Sequence, residues 1–206
     1  MLNLHKIVTL KNTAMVLTLV TGLYGLAADQ SQAATYELTQ TLMEPQFNGG
    51  GDSFGQIIAL DGNTALSNGG RVTANVYTFD TNTGQLLRTF ARPTAPNPLA
   101  NFDINAIAAD GNETLIGSYL FDNATGNLEQ VFEAPSPQAR FNFAGSAALS
   151  KDRVLVGVRP TISGGPSEND AVYLFDRNTG ALLQTFPNPS IGTSNNFGGS
   201  VALNEN

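Results

Sequence analysis

The chain has 206 residues, a formal net charge of -7, no cysteine, no tryptophan and a single histidine, His5. The acidic balance disfavours a polyanionic partner such as nucleic acid, and the missing cysteines exclude disulfides, thiolate catalysis and Cys-bound zinc. Charged residues are only 13% of the chain while Gly numbers 21, with Asn, Thr and Ser throughout, a composition suited to short strands and tight turns.

Residues 1–34 read as a secretory signal peptide. Lys6 and Lys11 precede an apolar run that extends from Met15 to Ala28, and the small residues Ser31, Ala33 and Ala34 follow it. The run is shorter than the ~20 residues that span a bilayer and is interrupted by Thr18 and Thr21. Cleavage near Ala33 or Ala34 removes His5, which leaves no imidazole for general base chemistry. No later stretch is long and apolar enough to span a membrane. The expected location is secreted, periplasmic or at the cell surface.

Residues 35–206 carry a repeat. Its first element is Val76-Tyr77-Thr78-Phe79-Asp80, which returns as Ser118-Tyr119-Leu120-Phe121-Asp122 and Val172-Tyr173-Leu174-Phe175-Asp176. Each copy reaches the same turn, Thr83-Gly84, Thr125-Gly126 or Thr179-Gly180. The second element then reads Leu86 to Phe90, Leu128 to Phe132 or Leu182 to Phe186, with Pro93, Pro135 or Pro189 beyond. The third element starts at Phe54, Phe143 and Phe197, with a looser copy at Phe102. The fourth follows the polar turns Asp61-Gly62-Asn63, Asp110-Gly111-Asn112 and Lys151-Asp152-Arg153.

Alternation places Tyr77 and Phe79 on one face and Val76 and Thr78 on the other, the pattern of a strand buried on both sides. In the turns, Asp caps backbone amides and Gly takes a positive φ, so Gly84→Val should strain the hairpin. Four short strands at a period of about 40 to 55 residues predict an all-β protein, a β-propeller of four-stranded antiparallel blades.

Counting from Val76, and aligning Leu38-Thr39-Gln40-Thr41-Leu42 with the second element, the units hold three, four, four and three strands. The expectation is an incomplete ring of about three to four blades, the N-terminal part of a longer propeller. A naturally partial ring would instead pair through its open edges with another chain. One point strains this phasing: Ile116 is followed almost at once by Tyr119, which leaves little chain to cross between blades.

On Phe54-Gly55 and Phe197-Gly198 the repeat resembles the FG-GAP repeats of integrin alpha chain propellers and their bacterial relatives, while Phe143-Ala144-Gly145 and Phe102-Asp103 depart from the signature. Val156-Gly157-Val158 and Ile116-Gly117-Ser118 stand where the Gly-Ala-Pro would be. The resemblance implies a propeller, usually of seven blades, with roles in adhesion and extracellular recognition. It also implies, in many members, calcium in the hairpin between strands one and two. Here Asp80 to Gly84, Asp122 to Gly126 and Asp176 to Gly180 offer one carboxylate each where calcium prefers several oxygens, so they read as structural turns.

The sequence nominates no catalytic, cofactor-binding or metal-binding residue. Asn112-Glu113-Thr114 and Asn123-Ala124-Thr125 match the glycosylation sequon, and Gly49-Gly50-Gly51 lacks the lysine and helix of a phosphate loop. Residues 160–170, rich in Gly, Pro and Ser, form the longest connection and offer either a recognition loop or a tolerated surface insertion. Arg92, Arg140, Tyr77 and Tyr173 are too dispersed to make a site. The expected function is non-catalytic binding or scaffolding of a protein or glycan through propeller loops. The alternative is a fragment of an extracytoplasmic propeller enzyme. A quinoprotein would carry blade tryptophans, absent here, and a glycan-active enzyme would need acids such as Asp52, Asp103 and Glu133 to converge.

Overall fold

The computed structural model describes residues 38–45, 54–69, 74–93, 100, 102–104, 106–135, 143–158, 171–190 and 196–204. The predicted signal peptide, His5, Asp52, Gly49 to Gly51, Arg140 and residues 160–170 lie outside the described residues. The described residues contain strands and turns and no helix, and so nothing helical that could cross a membrane.

Among the described residues, twelve strands form three four-stranded antiparallel sheets, each a simple meander. The first holds β1 (Ile58–Asp61), β2 (Thr64–Asn68), β3 (Val76–Asp80) and β4 (Leu86–Phe90). The second holds β5 (Ile107–Asp110), β6 (Glu113–Ile116), β7 (Tyr119–Asp122) and β8 (Leu128–Val131). The third holds β9 (Ser146–Leu149), β10 (Arg153–Gly157), β11 (Ala171–Asp176) and β12 (Leu182–Pro187). All four repeat elements thus become strands in each sheet, within a residue or two of the ends read from sequence except that the Phe-led element becomes strand only three to five residues after its Phe.

The phasing differs from the sequence count. Each sheet begins with the Phe-led element, not with the Tyr-x-Phe-Asp element, so the three sheets hold four strands each rather than three, four, four and three. The reason is the short link after Ile116. Ile116 pairs directly with Tyr119 across Gly117 and Ser118, with Gly117 at φ 60°, so β6 and β7 are a hairpin inside one sheet and no crossing between sheets is needed there. Residues 38–42 and 201–204, counted as strands from sequence, carry no strand pairing.

The central strands are buried on both faces, as the alternation requires. On the second sheet Ile107, Ile116, Tyr119 and Phe121 pack with Phe102 against Leu66, Val76 and Phe90 of the first sheet. Its opposite face presents Leu115 and Leu120, which pack with Phe132 and Phe143 against Val154, Val156, Tyr173 and Phe175 of the third. Phe90 meets Phe121 at 5.2 Å between ring centroids, and Phe132 meets Phe175 at 5.5 Å, the same contact one unit later. Burial of each such ring contributes about 1.5–3 kcal/mol, so the two inter-sheet layers hold the units together. Meander sheets that stack face to face in sequence order through repeated contacts are a propeller-like arrangement.

The Phe-Gly signature has a conformational cause. Gly55 and Gly198 have φ of 79°, and Ala144, which stands at the same place in its unit, has φ of 60°. All three copies make the same left-handed step, which at Gly55 and Ala144 leads into the first strand of a sheet, and the alanine copy holds it at a cost that glycine avoids.

The turn network and the candidate recognition end

Because each sheet is a meander, its two ends differ. One end gathers the short turns after β1, β5 and β9 with the Asp-x-x-Thr-Gly turns after β3, β7 and β11. The other holds the ends of β2, β6 and β10 and the starts of β3, β7 and β11, with the ends of β4, β8 and β12.

At the turn end the aspartates serve the fold. Asp80 Oδ1 accepts hydrogen bonds from the backbone N–H groups of Asn82 and Thr83 at 2.9 and 2.7 Å and from the Thr83 hydroxyl at 2.9 Å. Thr83 Oγ1 in turn accepts from Gln85 N at 3.3 Å, and Gly84, at φ 72°, donates its N–H to Asp80 O. Asp122 Oδ1 receives the Thr125 N–H and hydroxyl, both at 2.6 Å, and Asp176 Oδ1 receives those of Thr179, both at 2.9 Å. These donors stabilise the ionised form, so Asp80 and Asp176, led by their backbone bonds, and Asp122, led by the Thr125 hydroxyl, titrate below the ordinary carboxylate range. In each pair of third and fourth strands the register also shifts just before the aspartate, at Thr78/Phe79, Leu120/Phe121 and Leu174/Phe175.

These loops supply few ligands for calcium. The turn lies between the third and fourth strands of its sheet and brings a single carboxylate, whose Oδ1 already accepts from two N–H groups and a hydroxyl, where calcium takes six to eight oxygens. Among the described residues no three His, Cys, Asp or Glu side chains are grouped to hold a metal ion.

Each turn is also a joint between neighbouring sheets. Arg88 of β4 reaches the next turn, where its guanidinium donates to the carbonyls of Asn123 (2.8 Å), Thr125 (3.1 Å) and Ala124. Any Cβ at Gly126 would overlap that guanidinium. The equivalent position on β8 is Gln130, whose amide packs over Gly180, and Gln40 packs likewise over Gly84. Gln40 thus stands to Gly84 as Arg88 stands to Gly126, although residues 38–44 form no strand.

Between the second and third sheets a charged group completes the joint. Arg177 is 7% exposed and donates to Ser150 O at 2.7 Å, to Asp110 O at 3.0 Å and to Asp110 Oδ2, while also pairing with Glu113. Glu129 hydrogen-bonds Glu113 and, facing the charges of Glu113 and Asp122, is pushed up to about 7. Sequence reasoning missed this cluster. Its only signal was that Arg177 stands where the other copies have Thr81 and Asn123; the carboxylates it meets lie on another unit.

The dispersed residues weighed from sequence have structural roles or remain apart. Tyr173 is buried in the layer between the second and third sheets and Tyr77 against Phe54 and Phe79 of its own unit, so neither contacts a ligand at the surface. Arg92 donates to Phe102 O at 3.3 Å at the loop end. Of the sequons, Thr114 is fully buried and donates its hydroxyl to Asn123 Oδ1 at 2.6 Å, and Asn112 Nδ2 donates to Asp122 Oδ2, so both asparagines are engaged in the turns.

No protein-family model matches the chain, and no curated protein does. Solved structures do. The computationally designed Ika8 protein matches with 19% identity and a TM-score of 0.41, over 62% of this chain and 35% of its own. The computationally designed Ika4 protein matches with 18% identity and a TM-score of 0.43, over 68% and 75%. A europium-containing methanol dehydrogenase matches with 18% identity and a TM-score of 0.47, over 63% of this chain and 24% of that one. The chain thus spans about a third of Ika8 and a quarter of the dehydrogenase.

Proposed function

We propose that the chain is a non-catalytic binding or scaffold module of an extracytoplasmic β-propeller, secreted, periplasmic or on the cell surface, and that it recognises a protein or glycan with the loop end of its sheets. The FG-GAP-like pattern of Phe54-Gly55 and Phe197-Gly198 supports a propeller of the adhesion type. The observation that carries the reading is the division of labour between the two ends. At the turn end the carboxylates of Asp80, Asp122 and Asp176 are engaged by their own turns, and Asp110 and Glu113 by Arg177. The strand ends that carry the longer connections all lie at the other end, and loops carried on a rigid sheet scaffold are where recognition is usually placed.

The test is capture of ligand by the immobilised chain, from a glycan array and from the secreted and surface protein fraction. Arg92→Glu at the loop end should lower binding at least tenfold, while Lys151→Glu at the exposed turn end should leave it unchanged. The opposite pattern, or turnover of a captured glycan, refutes the reading.

A further inference from the structure

Three charged side chains at the turn end each occur in one unit only. Glu113 opens β6 where β2 and β10 begin with Thr64 and Arg153. Glu129 stands on β8 where β4 and β12 carry the exposed Leu87 and Leu183. Arg177 follows its turn aspartate where the other two turns have Thr81 and Asn123. Distant in the chain, the three meet in the fold: Arg177 pairs with Glu113, and Glu113 hydrogen-bonds Glu129.

Strand pairing puts Glu129 there. Leu120 is in register with Gln130 and Phe121 with Leu128, so Glu129 is the extra residue of a bulge, and a bulge re-aims the side chain it carries. The same bulge in the first and third sheets carries Leu87 and Leu183. Glu113 lies on β6, on the other side of β7, so its bond to Glu129 ties the outer strand of the second sheet to the strand that Arg177 holds from the third. Ionised carboxylates only accept hydrogen bonds, so a bond between two of them requires a proton held in common. The surrounding charges favour keeping that proton on Glu129. Glu113 of β6 and Asp122 at the end of β7 face it with like charge. The cation that faces it, Arg177, is shared with Asp110 of β5, and Arg88 of β4 lies beside Asp122.

From this convergence we infer that Glu129, Glu113 and Arg177 form a proton-operated clasp, which fastens the outer strand β8 to the joint between the second and third sheets when the two glutamates share a proton and releases it when that proton leaves to water. With the proton in place, the connection from Arg177 through Glu113 to Glu129 is continuous from the third sheet to the outer edge of the second. Without it the two glutamates repel, and Glu129, on an exposed strand, turns to solvent while Glu113 keeps Arg177. The Glu129 carboxyl is raised from 4.5 to about 7, so the clasp weakens as pH climbs from the ordinary glutamate value and is open above about 7. The bulges of β4 and β12, with leucine in this place, have no such clasp. The inference is independent of the loop-end reading, since it concerns the turn end.

The test is hydrogen–deuterium exchange of the full chain, comparing the amides of β8 with those of β4 after correction for the intrinsic pH dependence of exchange. Protection of β8 relative to β4 should fall at least threefold between about pH 5 and about pH 8. Glu129→Gln, whose amide donates to Glu113 without a titrating proton, should keep the higher ratio at both pH values. Glu129→Leu, which installs the residue of the other two bulges, should give a ratio that does not change with pH. An independent reading is the carbon-13 shift of the Glu129 carboxyl, with a midpoint expected near 7 that moves toward the ordinary glutamate value in Glu113→Gln. A ratio that is flat with pH in the unmodified chain, a fall that persists in Glu129→Gln, or a Glu129 midpoint near 4.5 overturns the inference.

Discussion

Replacing Arg177 with methionine removes the guanidinium that joins the second and third sheets while keeping most of the side-chain volume. The guanidinium serves Asp110 Oδ2, Asp110 O, Ser150 O and Glu113. Breaking a buried pair from one side typically costs about 3–5 kcal/mol, because the partner is left charged and poorly solvated. Here the side chains of Asp110 and Glu113 keep 28% and 23% exposure, so water recovers part of that cost and about 2–3 kcal/mol is expected. With a urea m-value of about 1–3 kcal/mol/M, the unfolding midpoint should fall by roughly 1–2 M. The assay is urea unfolding followed by both tyrosine fluorescence and far-ultraviolet circular dichroism, since sheets that uncouple would give transitions that no longer coincide. Adding Glu113→Gln to the variant should recover part of the loss by removing the orphaned charge. A loss below about 0.5 kcal/mol, or no interaction between the two substitutions, would refute the view that this ion group joins the sheets.

Stability should also depend on pH in two limbs. The Glu129 carboxyl is raised from 4.5 to about 7 in the folded state, so its contribution is present below the unfolded value and is lost as pH climbs from about 4.5 to 7; Glu129→Gln should flatten that limb in a Tm-versus-pH series, and salt should shrink it. Asp80, Asp122 and Asp176 shift the other way, so their contribution holds above the ordinary carboxylate value and disappears as pH falls through their lowered values; removal of a turn hydroxyl by Thr179→Val should move acid unfolding to higher pH. Gly55→Ala meets no atom within 4 Å but must hold a left-handed φ, so chemical denaturation should show a loss of about 1–2 kcal/mol and no more. Gly157→Ala should displace residues 196–204, read as faster limited proteolysis of that segment, whereas unchanged protection would contradict the close approach of Gly198.

The sequence by itself determined the strands and the turns. Both are local: alternation over five residues selects extended backbone buried on two faces, and an aspartate followed three residues later by threonine and then glycine closes a hairpin with its own side chains. Val76–Asp80 and Leu86–Phe90 are therefore strands at the residues read from the repeat. A repeat, however, has no intrinsic start, and which four consecutive elements share a sheet is decided by pairing. Only the pairing of β2 with β3, β6 with β7 and β10 with β11 shows that the boundary falls two strands from where the count began, although the short link after Ile116 already pointed to it. The joints between units were invisible for a related reason. Arg177 meets Asp110 across 67 positions of chain, and Arg88 meets Asn123 across 35, so nothing local marks them. Such contacts exist only once the apolar faces have stacked the sheets, and that stacking decides which turns, carboxylates and unpaired edges become neighbours.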